Sequence, residues 1–438
     1  MPAGLTLLLP RTEICLKQNR ARYRIRNGTN NESQIMHRFL LGSALAALLG
    51  TPLAAQSPQV QDWDSILEAA QGQTVFWHAW GGDPRINAFI ASVGADLQAR
   101  HGVTLEHVRL ADTSDAVTRV ITERQAGRDS GGAVDVIWIN GANFAAMKEQ
   151  GLLFGPFAES LPNWPLVDTA ANPAVLVDFT LPVEGYGSPW AMFQMVFEYD
   201  SATLPEPPRS LPGLRDWIAA NPGRFTYPQP PDFLGTSFLK QALYGVLEDP
   251  SVLLGPADAV DYDTVTAPLW AFLDEITPNL WRQGRAYPAN EPALGQLLAD
   301  GEIDIAFAFN PGRASSAIAD GELQDTVRTF VFDEGTLANS SYLSIPYNAA
   351  NIEGALVLAN LILDPEIQAR AQDPAILGFQ TVLGMHLLED ADRAAFDALD
   401  LGIATLAPDE MGTGLDEPHP SWMTRIAEDW AARYGTSQ

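Results

Sequence analysis

The alternation of apolar and polar positions changes period several times along the chain, and each change marks an element. Trp63–Gln71 has the spacing of a short amphipathic helix. Gln73–Trp80 is apolar, aromatic and β-branched, which suits a strand. It breaks at Gly81-Gly82. From Asp83-Pro84 the apolar residues Ile86, Phe89, Ile90, Val93 and Leu97 share one helical face through Arg100. Asp83 fits the helix N-cap and Pro84 its first turn. Val103–Arg109 alternates as a second strand. Asp112–Asp115 opens a helix to about Gln125, and a glycine-rich loop (127–132) follows. Ala133–Ile139 reads as a buried strand, and Asn140–Asn143 turns into a helix through Lys148. This β-α-β-α-β-α order predicts a parallel sheet covered by helices. Ligand crevices in such sheets lie beyond the carboxyl ends of the strands. Trp80-Gly81-Gly82, Asp112-Thr113 and Asn140–Asn143 all fall there.

The second half is punctuated by proline. After the stretch Pro156–Pro189, Ala191–Tyr199 reads as one long strand. Leu214–Ala220 predicts a helix and Arg224–Tyr227 a strand, which enters the loop 228–234. Gly235-Thr236-Ser237 opens a helix to Leu247. Further helices are expected over Ala267–Ile276 and Leu294–Asp300. The strand Ile303–Asn310 runs into Pro311-Gly312-Arg313. Thr326–Phe332 and Ser340–Ile345 read as strands, and Ile352–Leu363 with the C-terminal remainder as largely helical.

Composition narrows the function. The 438 residues are 46% hydrophobic and 18% charged, which fits a packed body large enough for two lobes. Residues 1–55 carry seven Lys or Arg and two acids. Removing these from the totals of 26 and 54 leaves 19 and 52, a net charge of −33 after position 55. Such a body offers no basic surface for nucleic acid. Cys15 is the sole cysteine, and the six histidines form no metal-binding motif, so neither a metal nor a cofactor is expected. No nucleophile elbow, zinc-protease or phosphate-loop motif is present. Acids abundant enough for a hydrolase pair exist, but none stands out. Met36-His37-Arg38, the apolar run Phe39–Leu49 and the small-residue end Leu53-Ala54-Ala55 read as a secretion signal cleaved after Ala55. Residues 1–35 are expected to be a non-structural extension, from an upstream start or a long signal n-region.

Three motifs, Ala79–Gly82 (AWGG), Ile139–Phe144 (INGANF) and Tyr227–Thr236 (YPQPPDFLGT), occur in this order behind a secretion signal. Together they resemble the periplasmic solute-binding proteins of ABC importers. The similarity is to the type 2 fold, within a subgroup of unestablished solute. The resemblance implies an α/β, two-lobed fold, each lobe a mostly parallel sheet flanked by helices, with the ligand cleft between lobes. It implies lobe 1 over 73–187 plus 328–365, lobe 2 over 188–327, and a C-terminal helical segment (366–438) packing on them. The hinge is expected near Tyr186–Trp190 and Thr326–Asp333. The implied role is capture of a small polar solute by lobe closure, without chemistry, by a periplasmic monomer that hands it to a membrane permease driven by an ATPase. An exported hydrolase and a non-transport sensor are the alternatives.

Sixteen residues are expected at the ligand. In lobe 1, Trp80 supplies an aromatic face, Gly81 and Gly82 allow close backbone approach, and Asn140, Gly141 and Asn143 stand at a helix start. Ser188 and Trp190 sit at the crossover. In lobe 2, Tyr227 is placed to stack on a ring, Asp232 to meet a cation, and the amides from Gly235 and Thr236 to meet an anion. Asn310 and Arg313 occupy another strand–helix corner, where Arg313 suits a carboxylate or phosphate. Asn339 and Tyr342 lie on the return. Each has an ordinary structural alternative: core for the aromatics, caps for the asparagines, a tight turn for the glycines. This mixture favours a thiamine-like or phosphorylated compound, with a polyamine or sugar as further options.

Overall fold

The computed structural model describes residues 62–170, 172–407 and 410–435. The expected extension (1–35) and signal segment (36–55) lie outside these residues. The strands are β1 (Thr74–Trp80), β2 (Thr104–Leu110), β3 (Val136–Ile139), β4 (Val177–Asp178), β5 (Leu181–Pro182), β6 (Ser188–Gln194), β7 (Val196–Asp200), β8 (Ile305–Ala308), β9 (Val327–Phe330), β10 (Thr336–Ser344) and β11 (Gly414–Asp416). The helices are α1 (Trp63–Ala70), α2 (Pro84–His101), α3 (Ser114–Gln125), α4 (Gly141–Glu149), α5 (Leu211–Ala220), α6 (Phe233–Val246) and α7 (Tyr262–Ile276). They continue as α8 (Glu291–Ala299), α9 (Arg313–Ala319), α10 (Ile352–Ile362), α11 (Pro365–Gln372), α12 (Asp390–Asp397) and α13 (Pro420–Tyr434). Among the described residues no helix is long and apolar enough to cross a membrane.

Two sheets carry the α/β body. The first has the order β11-β10-β3-β1-β2, with β6 also paired to β10. β1 runs parallel to β2 and β3, whereas β10 runs antiparallel to β3 and β6. The second is β8-β7-β9, and both neighbours of β7 are antiparallel to it. This corrects the expected strand sense. The parallel β-α-β rule holds where helices connect the strands of the N-terminal half, but the second sheet is assembled from distant segments that return in the opposite direction.

The predicted strand Ala191–Tyr199 is two strands in different sheets. Ser188–Gln194 pairs with β10, and Val196–Asp200 forms the centre of the second sheet. The first crossing between sheets therefore falls at Met195, later than Tyr186–Trp190, and the return runs through 331–335. A boundary at 187/188 would cut β6 from its own sheet. Arg224–Tyr227 forms no strand and contributes a single bridge from Phe225 to Ile305.

The helix starts follow the sequence closely. Asp83 accepts from the Arg85 amide at 2.7 Å, and Pro84 occupies the first turn of α2. Asp232 accepts from both the Leu234 and Gly235 amides. Asp135, at the start of β3, is fully buried and structural. It accepts from the Phe76, Ala350 and Asn351 amides, fastening β1 to the entry of α10.

Candidate functional site

A cavity of about 550 Å³ is lined by residues that follow the first-sheet strands and by the loops and helix starts of the second half. Trp80, Trp138, Phe179, Phe193, Phe233, Phe309 and Phe379 give it aromatic walls. Of the sixteen expected residues, Trp80, Asn140, Gly141, Asn143, Asp232, Asn310, Arg313 and Asn339 line it. The other eight lie outside the lining.

The reasons are local. Gly82 lets the Trp80 indole fold over the turn, because a β-carbon there would lie 2.4 Å from Cζ2 of the ring. Gly81 packs on Arg109, where a β-carbon would sit 2.5 Å from Cβ of that residue. Both glycines thus serve protein contacts. Trp190 is 1% exposed and stands behind the lining residues Trp138 and Phe379, its ring 4.9 Å and 5.6 Å from theirs. Ser188 is buried in the β6–β10 pairing. Tyr227 is fully buried, stacked on Phe238, and its hydroxyl accepts from Trp430 Nε1 at 3.0 Å. Gly235 and Thr236 are buried in the first turn of α6. There a β-carbon on Gly235 would strike the Pro228 carbonyl, and the Thr236 hydroxyl donates to the Asp232 carbonyl. Tyr342 lies on the face of β10 opposite Asn339, as a period of two requires, and its hydroxyl donates to the Val177 carbonyl at 3.0 Å.

Six chain segments enter helices around the cavity, and each start has an internal acceptor. Asp83 serves α2, and Asp112 accepts from Ser114 of α3 at 2.8 Å. The buried Asp178 accepts from Gly141 of α4 at 2.7 Å, and Asp232 caps α6. Asn290 accepts from Ala293 of α8, and Asn310 from Gly312 at the start of α9. The amides expected to attract an anion are therefore in part already engaged.

The charges lean the same way. Arg313 pairs bidentately with the buried Glu198 and lies 3.8 Å from Glu291. Arg85 forms looser ion pairs with the exposed Asp320 and Glu322, at 3.4 Å and 3.9 Å, and its Nη1 has no hydrogen-bond partner among the described residues. Against these two ion-paired arginines stand Asp83, Asp112, Asp232 and Glu291. In each aspartate Oδ1 caps a helix, while Oδ2 has no partner among the described residues. Burial raises the Asp232 carboxyl to about 6, opposed by its two amide bonds and reinforced by Asp112. Burial raises Glu291 to about 7, opposed by Arg313 and reinforced by Glu198, Asp232 and Asp83. Asn140 and Asn143 leave their side-chain amides uncommitted.

The sequence places Asp112 at the crevice without singling it out as a ligand residue, and Asp83 and Glu291 do not stand out as cavity groups at all, because each also looks like an ordinary helix-start residue. Phe179 is hidden for a different reason. Phe179 and Thr180 form the turn between β4 and β5 with φ of 46° and 70°. Such turns normally announce themselves through Asn or Gly. Here two side-chain-bearing residues take the left-handed conformation, at about 1–2 kcal/mol each. The turn sets the Phe179 ring against Gly141 at the cavity. Among the described residues no group of three or more His, Cys, Asp or Glu is arranged to hold a metal ion.

The family model described as bacterial extracellular solute-binding protein matches residues 92–379. Protein YnjB of Escherichia coli (strain K12) is 39% identical over 384 residues, covering 88% of this chain and 97% of that protein. A putative spermidine/putrescine ABC transporter from Listeria monocytogenes superposes with a TM-score of 0.54 at 17% identity, covering 82% of this chain and 98% of the other. The periplasmic binding protein AfuA from Actinobacillus pleuropneumoniae, with exogenous fructose-6-phosphate bound, gives 0.56 at 14% identity, covering 84% and 100%. The two structures share the two-lobed fold of this chain.

Proposed function

Because the chain belongs to the family of bacterial extracellular solute-binding proteins, we propose that it is the substrate-binding component of an ABC-type importer and that its cleft captures a small organic cation with a flat, apolar part. The observation that carries the solute class is the set of Oδ2 atoms on Asp83, Asp112 and Asp232 without a partner among the described residues, in a cavity where acids outnumber the two arginines and both arginines are ion-paired. The fold relatives alone do not choose a solute, since one is described as a spermidine/putrescine transporter and the other holds a sugar phosphate. The charge of this cleft favours the cation. A phosphorylated solute would meet four carboxylates and helix starts whose amides are in part engaged. Trp80 and Trp138 offer rings to a flat cation, a contact worth about 0.5–2 kcal/mol. A thiamine-like ring cation suits both features, and a polyamine suits the carboxylates.

Solute binding stabilises the closed state through contacts that reach both sides of the cleft. Asn140, Asn143 and Trp80 supply one side; Asp232, Glu291 and Phe309 supply the other. Capture is followed by delivery to an inner-membrane permease with its cytoplasmic ATPase, and the acidic surface suits basic permease loops. The chain acts in the periplasm as a monomer and leaves the solute chemically unchanged. The test is calorimetric titration at pH 8 with thiamine, putrescine and spermidine, against fructose-6-phosphate and inorganic phosphate. Binding confined to the cations supports the reading; binding confined to the phosphates overturns it. Conversion of the bound compound, followed by chromatography, would replace the receptor with the hydrolase alternative.

A further inference from the structure

At the cavity face of β10, level with the end of β11, one lining side chain is held by a buried ion pair. Asn339 lines the cavity, and its Nδ2 donates to Glu417 Oε1 at 2.9 Å. The other carboxylate oxygen of Glu417 accepts from Lys240 Nζ of α6. The two side chains are 1% and 0% exposed. Lys240 also sits over the rings of two lining residues, Phe179 at 4.7 Å and Phe233 at 5.5 Å. A carboxylate paired with an ammonium group only accepts hydrogen bonds. It therefore decides which end of the Asn339 amide faces it, and the nitrogen end is taken. Oδ1 is the end left for the cavity.

From this arrangement we infer that Asn339 is a specificity-determining residue, presenting Oδ1 as an acceptor for an N–H donor on the solute. Glu417 and Lys240 are its positioning residues. The inference rests on the cation reading above and narrows it to cations that carry N–H groups, as opposed to fully N-substituted ones. It also gives the C-terminal segment a part in recognition. Glu417 follows β11, and both lie beyond the residues 92–379 shared with the family model. β11 pairs with the first sheet, Lys240 comes from α6, and α13 packs on both α4 and α6.

The test uses matched pairs: putrescine, spermidine and thiamine against their counterparts methylated at every amino nitrogen. Affinities are measured by calorimetry on the full protein, Asn339→Leu and Glu417→Gln. The native protein should prefer the N–H member of at least one pair by tenfold or more, the scale of one hydrogen bond to a charged group. Asn339→Leu should bring that pair within about twofold. Glu417→Gln turns its amide oxygen to Lys240 and its Nε2 to Asn339, which draws Oδ1 away from the cavity, so this variant should also lose the discrimination. A Lys240→Met/Glu417→Leu double variant, which leaves no unpaired charge, should lose discrimination while its circular dichroism stays native. Equal binding of both members by the native protein, or undiminished discrimination in Asn339→Leu, overturns this inference and leaves the cation reading standing. Binding of none of the six compounds overturns the cation reading and this inference with it.

Discussion

Gly82 lies so close to the Trp80 indole that a β-carbon on it would approach Cζ2 to 2.4 Å. The glycine and the tryptophan are therefore one device, and the ring takes its place at the cavity only over a bare backbone. Gly82 needs no left-handed backbone, so the cost of a side chain falls on the indole. Gly82→Ala is expected to weaken binding of a flat cation by about tenfold while changing stability by less than about 1 kcal/mol. Calorimetry and thermal unfolding on the same sample separate the two effects.

Arg313 is bound into the fold more tightly than its position at the cavity suggests. Its partner Glu198 is fully buried in β7. Arg313→Met would strand that carboxylate and is expected to cost about 3–5 kcal/mol, read as a lowered denaturant midpoint. An Arg313→Met/Glu198→Leu double variant should recover most of the loss. Comparable stability of the single variant and the native protein would release Arg313 for a direct role at the solute.

Asp232 and Glu291 make both stability and binding depend on pH. Their carboxyls are raised to about 6 and about 7 in the folded chain, above unfolded values near 4. The unfolded state then loses these protons first, so their contribution to stability is full below about pH 4 and is lost as pH rises to about 7. Asp232→Asn and Glu291→Gln should each flatten the fall in unfolding temperature between pH 4.5 and 7.5. Cation affinity should run the other way, rising up to tenfold per pH unit for each proton released and levelling above pH 7.

Tyr227 offers a control. Its ring belongs to the aromatic core with Phe238, Tyr287 and Trp430. Tyr227→Phe removes the acceptor for Trp430 Nε1 and is expected to cost about 1 kcal/mol of stability with solute affinity unchanged.

The contrast between Asp232 and Tyr227 shows what the sequence could carry. Asp232 announces itself twice, as a helix cap and as an acid after a proline-stiffened loop, and both properties are local. Tyr227 sits in the same motif, but its surroundings come from Trp430 and Tyr287, far along the chain. The early helices and strands were legible for the same reason as Asp232, because period, caps and turn residues are short-range signals. The split of Ala191–Tyr199 at Met195 was not, since both halves have strand composition and only their distant partners distinguish them. Asn339 and Tyr342 both lie on the return, but alternation along β10 places them on opposite faces. Helix starts alone suit a phosphate; which acids already cap them is a relationship the sequence does not display.

An organic cation bearing an N–H donor is the solute proposed for this cleft. The direct measurement is mass spectrometry of the small molecule released on denaturing protein purified from the exported compartment, with the charge of the compound determined at neutral pH. A cation with at least one N–H group is the expected result. A phosphorylated or otherwise anionic compound, recovered in stoichiometric amount, would contradict it.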